Sequence, residues 1–577
     1  MKHNSILKRV LLPILMSTCT QLGALTVDFE FPNLPNFLEK NAKLHISLKE
    51  GTDYTSSEFE QLFLRIPKEL EQALIPFGYY ESKIELSQTQ KEEEVHITVN
   101  ISLPPPVTWE TIETQIVGEG ETNSELTTLL AENLPSSGTN LQHSDYKNLK
   151  SQLINSALEL GFLDAQFEKS DVLVSLDTRT ANLDLIFNTG PQYYFGPITY
   201  IQDKFDTQFL DRYINFQQGD IYRLEKLAKL QRTLQDSGLF ETVHIKADPA
   251  AAEELQVPIQ IQLEAKKKWR YGAGVGFGTD TGPRGSLELE NRRLNRSGHK
   301  LGFEASASSV RDYVTGVYTI PLARPQSDYF RVSLEWTEEE VEEKLTEIRR
   351  LRLQRNRALS PEWIQSLFIK FQEETFELEN QRGRLFNIIP GANRTFLKYD
   401  QANFVVKGHR FFLQIQGSGD YFGSDSDFLQ ALVEDKWIRS WRNNQRLIVR
   451  SSLGASWASE IEDIPVSERY FAGGDQSVRG FSFESLGPRD DSGQLIGGRH
   501  LLTASIEDEI KLSDKWSLAV FYDTGNSFAE EFTELAYSAG VGVRWHTPVG
   551  SIRIDLANAL SEPGNPWRLH LNIGPDF

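Results

Sequence analysis

The chain has 577 residues, 60 Lys and Arg against 81 Asp and Glu, a formal net charge of −21 and a mean hydropathy of −0.40. Nucleic-acid binding needs clustered Lys and Arg, so this balance argues against a nucleic-acid partner. After the first 24 residues no run of 18 apolar residues occurs, which excludes a helical membrane protein but not a β-barrel, whose strands carry apolar side chains only at alternate positions.

Lys2, Lys8 and Arg9 precede the apolar run Val10 to Met16, and Leu22-Gly23-Ala24 ends in small residues. That order predicts a secretory signal peptide over 1–24. Cys19, the only cysteine, lies inside it behind Met16-Ser17-Thr18, a poor lipidation motif. Cleavage after Ala24 leaves no disulfide, thiolate or cysteine-based metal site, and a long exported chain without cysteine fits a Gram-negative envelope. Acidity is concentrated early: 38 acidic against 20 basic residues over 25–267, but 43 against 37 over 268–577.

A repeat fills the first half. Three times a helical pattern runs into a glycine corner and then an extended segment: Leu74 to Tyr80 around Gly78, Leu158 to Leu163 around Gly161, and Gln235 to Phe240 around Gly238. Glycine at a helix end takes the left-handed conformation that other residues resist. Each unit closes on a further strand, Val95 to Val99, Ala181 to Phe187 and Val257 to Ile261. The pattern reads as strand, helix, helix, strand, strand. Breaks at Pro104-Pro105-Pro106 and Gly190-Pro191 predict α+β domains over 25–104, 105–189 and 190–267, and units of about 80 residues can each bury a small core.

From Trp269 the period changes to two. Leu569, Leu571, Ile573 and Phe577 alternate with Arg568, His570 and Asn572. Val541, Val543 and Trp545 oppose Gly540, Gly542 and Arg544. Beyond the turn Thr547-Pro548-Val549-Gly550, Ile552, Ile554 and Leu556 oppose Ser551, Arg553 and Asp555. Apolar-out, polar-in strands with short turns predict an all-β transmembrane barrel over 268–577. At roughly 19 residues per strand and connection it has about 16 antiparallel strands. The charge-dense stretch 338–381 is read as strands reaching past the membrane.

Gly272, Gly274, Gly276 and Gly278 recur at every second residue, without the helix that a phosphate loop requires. They predict a first strand with one bare face, weakly paired to its neighbour. Gly417 to Asp427 lacks the closing glutamate and register of a calcium loop. No H-E-x-x-H, G-x-S-x-G or paired-histidine motif is present, so neither an enzyme, a metal site nor a cofactor is expected.

The most specific run is Arg469 to Phe481, reading R-Y-F-A-G-G-D-Q-S-V-R-G-F. Glycines pin a loop tip that presents Arg479, and an arginine sent into a barrel lumen needs carboxylate partners. Asp523, in Phe521 to Asn526, and Glu507, in Ala504 to Glu507, are the candidates. The bland alternative is an exposed loop arginine.

This run resembles the inward-folded loop of the outer-membrane-protein assembly superfamily, whose members include BamA, TamA and the two-partner secretion transporters. Val478, Arg479, Gly480 and Phe481 match its hallmark, and the three α+β units resemble its POTRA repeats. The resemblance implies that Arg479 is the loop-tip arginine facing Glu507 and Asp523. Three units, together with Leu486-Gly487-Pro488 and Gly497-Gly498-Arg499, resemble the TamA-like branch. That branch implies insertion and translocation of autotransporter-like proteins at the outer membrane, with POTRA units in the periplasm. Its partners would be a TamB-like inner-membrane-anchored protein, unfolded outer-membrane-protein clients and outer-membrane lipid. The expected working part is a seam between the first strand (Gly272, Gly274, Gly276, Gly278) and the last (Ile573, Gly574, Pro575, Phe577), where Pro575 cannot donate to a ladder. The alternative is a two-partner secretion pore exporting a dedicated exoprotein.

Overall fold

The computed structural model describes residues 25–574 apart from 342–343, 379–380, 401–403, 443, 531–533 and 548–549. The expectations for 1–24, Pro548, Val549, Pro575 and Phe577 lie outside the described residues.

The first α+β unit runs strand Thr26–Glu30, helices Asn36–His45, Ser56–Phe63 and Ile66–Leu74, then strands Lys83–Lys91 and Glu94–Ser102. The second has strand Thr108–Val117, helices Ser124–Asn133 and His143–Glu159, and strands Gln166–Ser175 and Thr180–Asn188. The third has strand Tyr194–Ile201, helices Thr207–Asp211 and Leu224–Asp236, and strands Phe240–Ala247 and Gln256–Ala265. In each three-stranded sheet the last strand of the unit lies in the middle. In the first two units it pairs parallel to the first strand and antiparallel to the one before it.

The reason is in the side chains. Val95, Ile97, Val99 and Ile101 are all buried, as are Ala181, Leu183, Leu185 and Phe187, so each middle strand offers one wholly apolar face to its helices. Burying a side chain of the Val, Leu or Ile class contributes about 1.5–3 kcal/mol. The helix-end glycines take φ of +82° at Gly78, +92° at Gly161 and +70° at Gly238. The carbonyls of Gly78 and Gly161 accept the N–H groups of Val107 and Tyr193, each at the start of the following unit (2.9 and 2.8 Å).

Sixteen antiparallel strands then follow in chain order, Trp269–Gly278 first and Trp567–Gly574 last, each paired with the next. They curl into a nearly closed barrel. The charge-dense region is strand, as read from the sequence: Asp328–Val341, Lys344–Ala358, Trp363–Leu378 and Gln381–Tyr399 pair in continuous register. These strands have 14 to 19 residues, whereas the first barrel strand has 10 and the last 8. Val541, Val543 and Trp545 are exposed on the outer face, and Gly540, Gly542 and Arg544 are buried on the inner one. Among the described residues no helix is long and apolar enough to cross a membrane.

Candidate functional site

The connection between strands Gln445–Ala458 and His500–Lys511 folds back into the barrel lumen. Its tip is seated by Val478 and Phe481, which pack on Ala536, Ala559 and Leu486. Gly480 adopts φ +95°, where a side chain would be strained, and a Cβ there would sit 3.3 Å from the Ala559 nitrogen.

That seating puts the Arg479 guanidinium, 3% exposed, between acids from three strands. Nε and Nη2 donate to the two oxygens of Asp523 (2.7 and 2.9 Å), and Nη1 donates to Glu507 (2.7 Å) and Asp555 (3.2 Å). Nη2 also reaches Ser505 Oγ at 3.3 Å, and the guanidinium lies 3.4 Å from the centroid of the Phe521 ring. Arg544 completes the set, donating to Glu507 (2.8 Å) and Asp555 (2.6 Å). The structure thus brings together Arg479, Glu507 and Asp523, all three singled out from the sequence. It adds Asp555, Arg544 and Ser505, which alternation places on inward faces without revealing that they converge. Phe521 shares the inward face with Asp523 and lies under the arginine.

The opposite wall holds the same loop. Lys370 meets Glu468 at 2.8 Å, and Lys344 meets Glu484 at 2.7 Å. Burial pushes the Glu484 carboxyl above its usual range, against the pull of Lys344.

Between the first and last barrel strands no ladder is formed among the described residues. Among the described residues the backbone hydrogen bonding between the two edges centres on Thr279 and Leu571. Thr279 N–H donates to the Leu571 carbonyl (3.3 Å), and Leu571 N–H donates to Thr279 Oγ1 (3.1 Å). On the first strand, Gly272, Gly274 and Gly276 face Glu288, Ser286 and Arg284, whose side chains fill the space that a Cβ would take. Val275, on the other face, is 97% exposed. Ile573, at the far edge, is 38% exposed.

The inward loop touches both edges. Asp475 N–H donates to Asp280 Oδ2 in the first hairpin turn (2.6 Å), Thr279 Oγ1–H donates to Asp475 Oδ1 (3.2 Å), and Asp475 also pairs with His570 on the last strand. Burial, and then the neighbouring Asp475 carboxylate, push the Asp280 carboxyl upward. Asp280, Asp475 and His570 hold three ligand-type atoms within 4.8 Å of one another. Hydrogen bonding accounts for them. His570 Nε2 accepts the Gly480 N–H (2.8 Å), which leaves its proton on Nδ1 to donate to Asp475. A cation at Nδ1 would drive that proton to Nε2, against the glycine N–H.

Repeated α+β units ahead of a sixteen-stranded barrel, with an arginine loop anchored in its lumen and an unzipped seam, define a POTRA-bearing barrel. The model for the Omp85 superfamily domain matches residues 266–577, that for POTRA domain TamA domain 1 matches 34–103, and a POTRA model described as surface antigen variable number repeat matches 193–266. The chain belongs to the Omp85 superfamily. It is 32% identical over 165 residues to the outer membrane protein assembly factor BamA of Nitratidesulfovibrio vulgaris, covering 27% of this chain and 21% of that protein. It is 26% identical over 195 residues to the BamA of Neisseria meningitidis, covering 27% of this chain and 24% of that one. The alignments thus span a quarter or less of these relatives. The fold matches the crystal structure of Haemophilus ducreyi BamA lacking POTRA domains 1–3, with a TM-score of 0.69 at 15% identity over 81% of this chain and 99% of that one.

Proposed function

We propose that the protein is an outer-membrane assembly factor that promotes insertion and translocation of autotransporter-like β-barrel proteins by lending the edges of its seam as strand templates. The barrel lies in the outer membrane, its POTRA domains, at 25–104, 105–189 and 190–267, in the periplasm. An unpaired backbone group in hydrocarbon costs several kcal/mol, so an incoming strand needs a partner edge before it can enter. The observation that carries the reading is the seam, where two short strands meet through the Thr279 and Leu571 contacts in place of a ladder. Parting them exposes an edge for β-augmentation at small cost. The family model described by TamA domain 1, together with three POTRA units, supports the TamA-like branch and a TamB-like inner-membrane-anchored partner.

The secretion-pore reading needs a passage through the lumen. The inward loop spans the lumen from Lys344 and Lys370 to Asp523. Nearer the periplasmic mouth, Val405 packs on Ile438 and Ile448, and the buried Arg446 donates to its carbonyl (2.9 Å) while pairing with Glu509 (2.7 Å). Both obstructions favour a route through the wall.

The test is a disulfide lock. Phe277→Cys and Ile573→Cys follow the register set by Thr279 and Leu571. Oxidised protein in proteoliposomes should stop inserting a client barrel, and reduction should restore it. Undiminished insertion by the locked form would reject the gate. Co-purification of a long periplasm-spanning protein tests the partner.

A further inference from the structure

Residues 198–215 and 228–246 of the third POTRA unit pack with the barrel as one compact body. Arg212 Nη1 donates to the Pro321 carbonyl (3.2 Å), Arg296 pairs with Asp206 (2.9 Å), and Gln326 donates to the Thr233 carbonyl. Between these attachments lies a cavity of about 500 Å³ whose lining includes Arg212, Lys229 and Arg324.

Three features set it apart. The chain carries −21, yet no acidic residue lines this cavity. The nearest acids in sequence are turned elsewhere: Asp211 accepts the Tyr200 hydroxyl (2.8 Å) and Asp328 pairs with Arg355 (2.9 Å). Burial first, and then the Arg212 charge, hold the nearby His299 imidazole below its ordinary range. By contrast, Arg270 on this body is matched by Glu288 and Glu290, and Arg349 by Glu347 and Glu373.

Position supplies the ligand class. The turn 322–327, which contributes Arg324, joins the strands Arg311–Pro321 and Asp328–Val341. The outer face of those strands carries Val314, Tyr318 and Ile320 paired with Trp336, Val332 and Phe330, and Leu334 on that face is 63% exposed. An apolar outer face therefore ends, at its periplasmic margin, in a recess with three cations. Basic pockets at that level of a membrane protein take lipid headgroups.

We propose that this recess binds the phosphate of an anionic phospholipid in the periplasmic leaflet, so that a lipid clasps the third POTRA unit to the barrel rim. The inference rests on the barrel's residence in a bilayer and is independent of strand templating.

The test uses the full-length protein in detergent micelles doped with phosphatidylglycerol, with diacylglycerol, or supplemented with inorganic phosphate, read by native mass spectrometry. The wild type should retain phosphatidylglycerol and release diacylglycerol. Each cation near such a surface is worth about fivefold in affinity. Arg212→Gln/Lys229→Gln/Arg324→Gln should therefore lose lipid occupancy by well over tenfold, and the charge reversal Arg324→Glu, confined to an exposed turn, by at least fivefold. Lys49→Gln/Lys68→Gln/Lys91→Gln should retain it. Equal lipid retention by wild type and the cavity variants overturns the proposal, as does binding of inorganic phosphate with no preference for phosphatidylglycerol. Heat-modifiable migration verifies that each variant is folded, and the insertion assay with the disulfide-locked seam scores the templating reading separately.

Discussion

Arg479 places all five of its N–H donors: one on each Asp523 oxygen, and one each on Glu507, Asp555 and Ser505. Removing one member of a buried ion network costs about 3–5 kcal/mol, because the remaining charges are stranded. Arg479→Ala is expected to free the loop, seen as new protease cuts between 469 and 490, and to lower client insertion while heat-modifiable migration persists. Arg479→Lys should fare little better, since a single ammonium cannot span three carboxylates. Alternation alone identifies Glu507 and Asp523 as inward residues and the glycine-pinned run identifies the arginine. Asp555 and Arg544 were equally inward but could not be assigned, because period two gives the face of a strand and not the height at which side chains from separate strands meet. A second residue-scale expectation concerns His96 in the first POTRA unit. Its hydrogen bond to Glu30, then the one to Asp28, raise the imidazole pKa. The associated stability is complete below the unfolded pKa and is lost as pH rises through the folded one. Amide protection factors, the slowing of exchange relative to the unfolded chain at the same pH, should therefore fall in Thr26–Glu30 on that rise, and Glu30→Gln/Asp28→Asn should flatten the response.

At the scale of elements, the inward loop is tied to both edge strands, because Asp475 is bonded to the first hairpin and to the last strand together. A net hydrogen bond contributes about 0.5–1.5 kcal/mol, so losing two is worth roughly a tenfold to hundredfold change in an opening equilibrium. Asp475→Ala should speed exchange of the Trp269–Gly278 amides by that order, and unchanged protection would separate the loop from the seam. The glycine corners and the apolar faces of the POTRA middle strands were legible because both are local patterns. The stretch 338–381 was harder, since charges occupy both faces. Its outward charges pair across strands, as in Arg384 with Glu373 and Arg382 with Glu377, so the strands remain regular where they rise beyond the apolar band.

Across the whole molecule, strand length grades from 10 and 8 residues at the seam to 19 at Gln381–Tyr399. At about 3.3 Å per residue, the two seam strands offer roughly half the reach of the tallest one. Two inward segments obstruct the lumen between these walls, and reconstituted wild type should conduct ions poorly. Arg446→Ala, which removes the support of Val405 beneath the loop, is expected to raise single-channel conductance. A large conductance in the wild type would instead restore the secretion-pore reading.

The sites that seat Arg479 and Gly480 come from strands His500–Lys511, Trp516–Phe528, Gly550–Ala559 and Trp567–Gly574, all later in the chain than the loop itself. During the protein's own biogenesis its loop has nowhere to dock until the C-terminal third of the cylinder is in place. A truncated or misregistered copy is therefore expected to leave its arginine unsatisfied and its loop open to proteases, which limited proteolysis of such a copy would check.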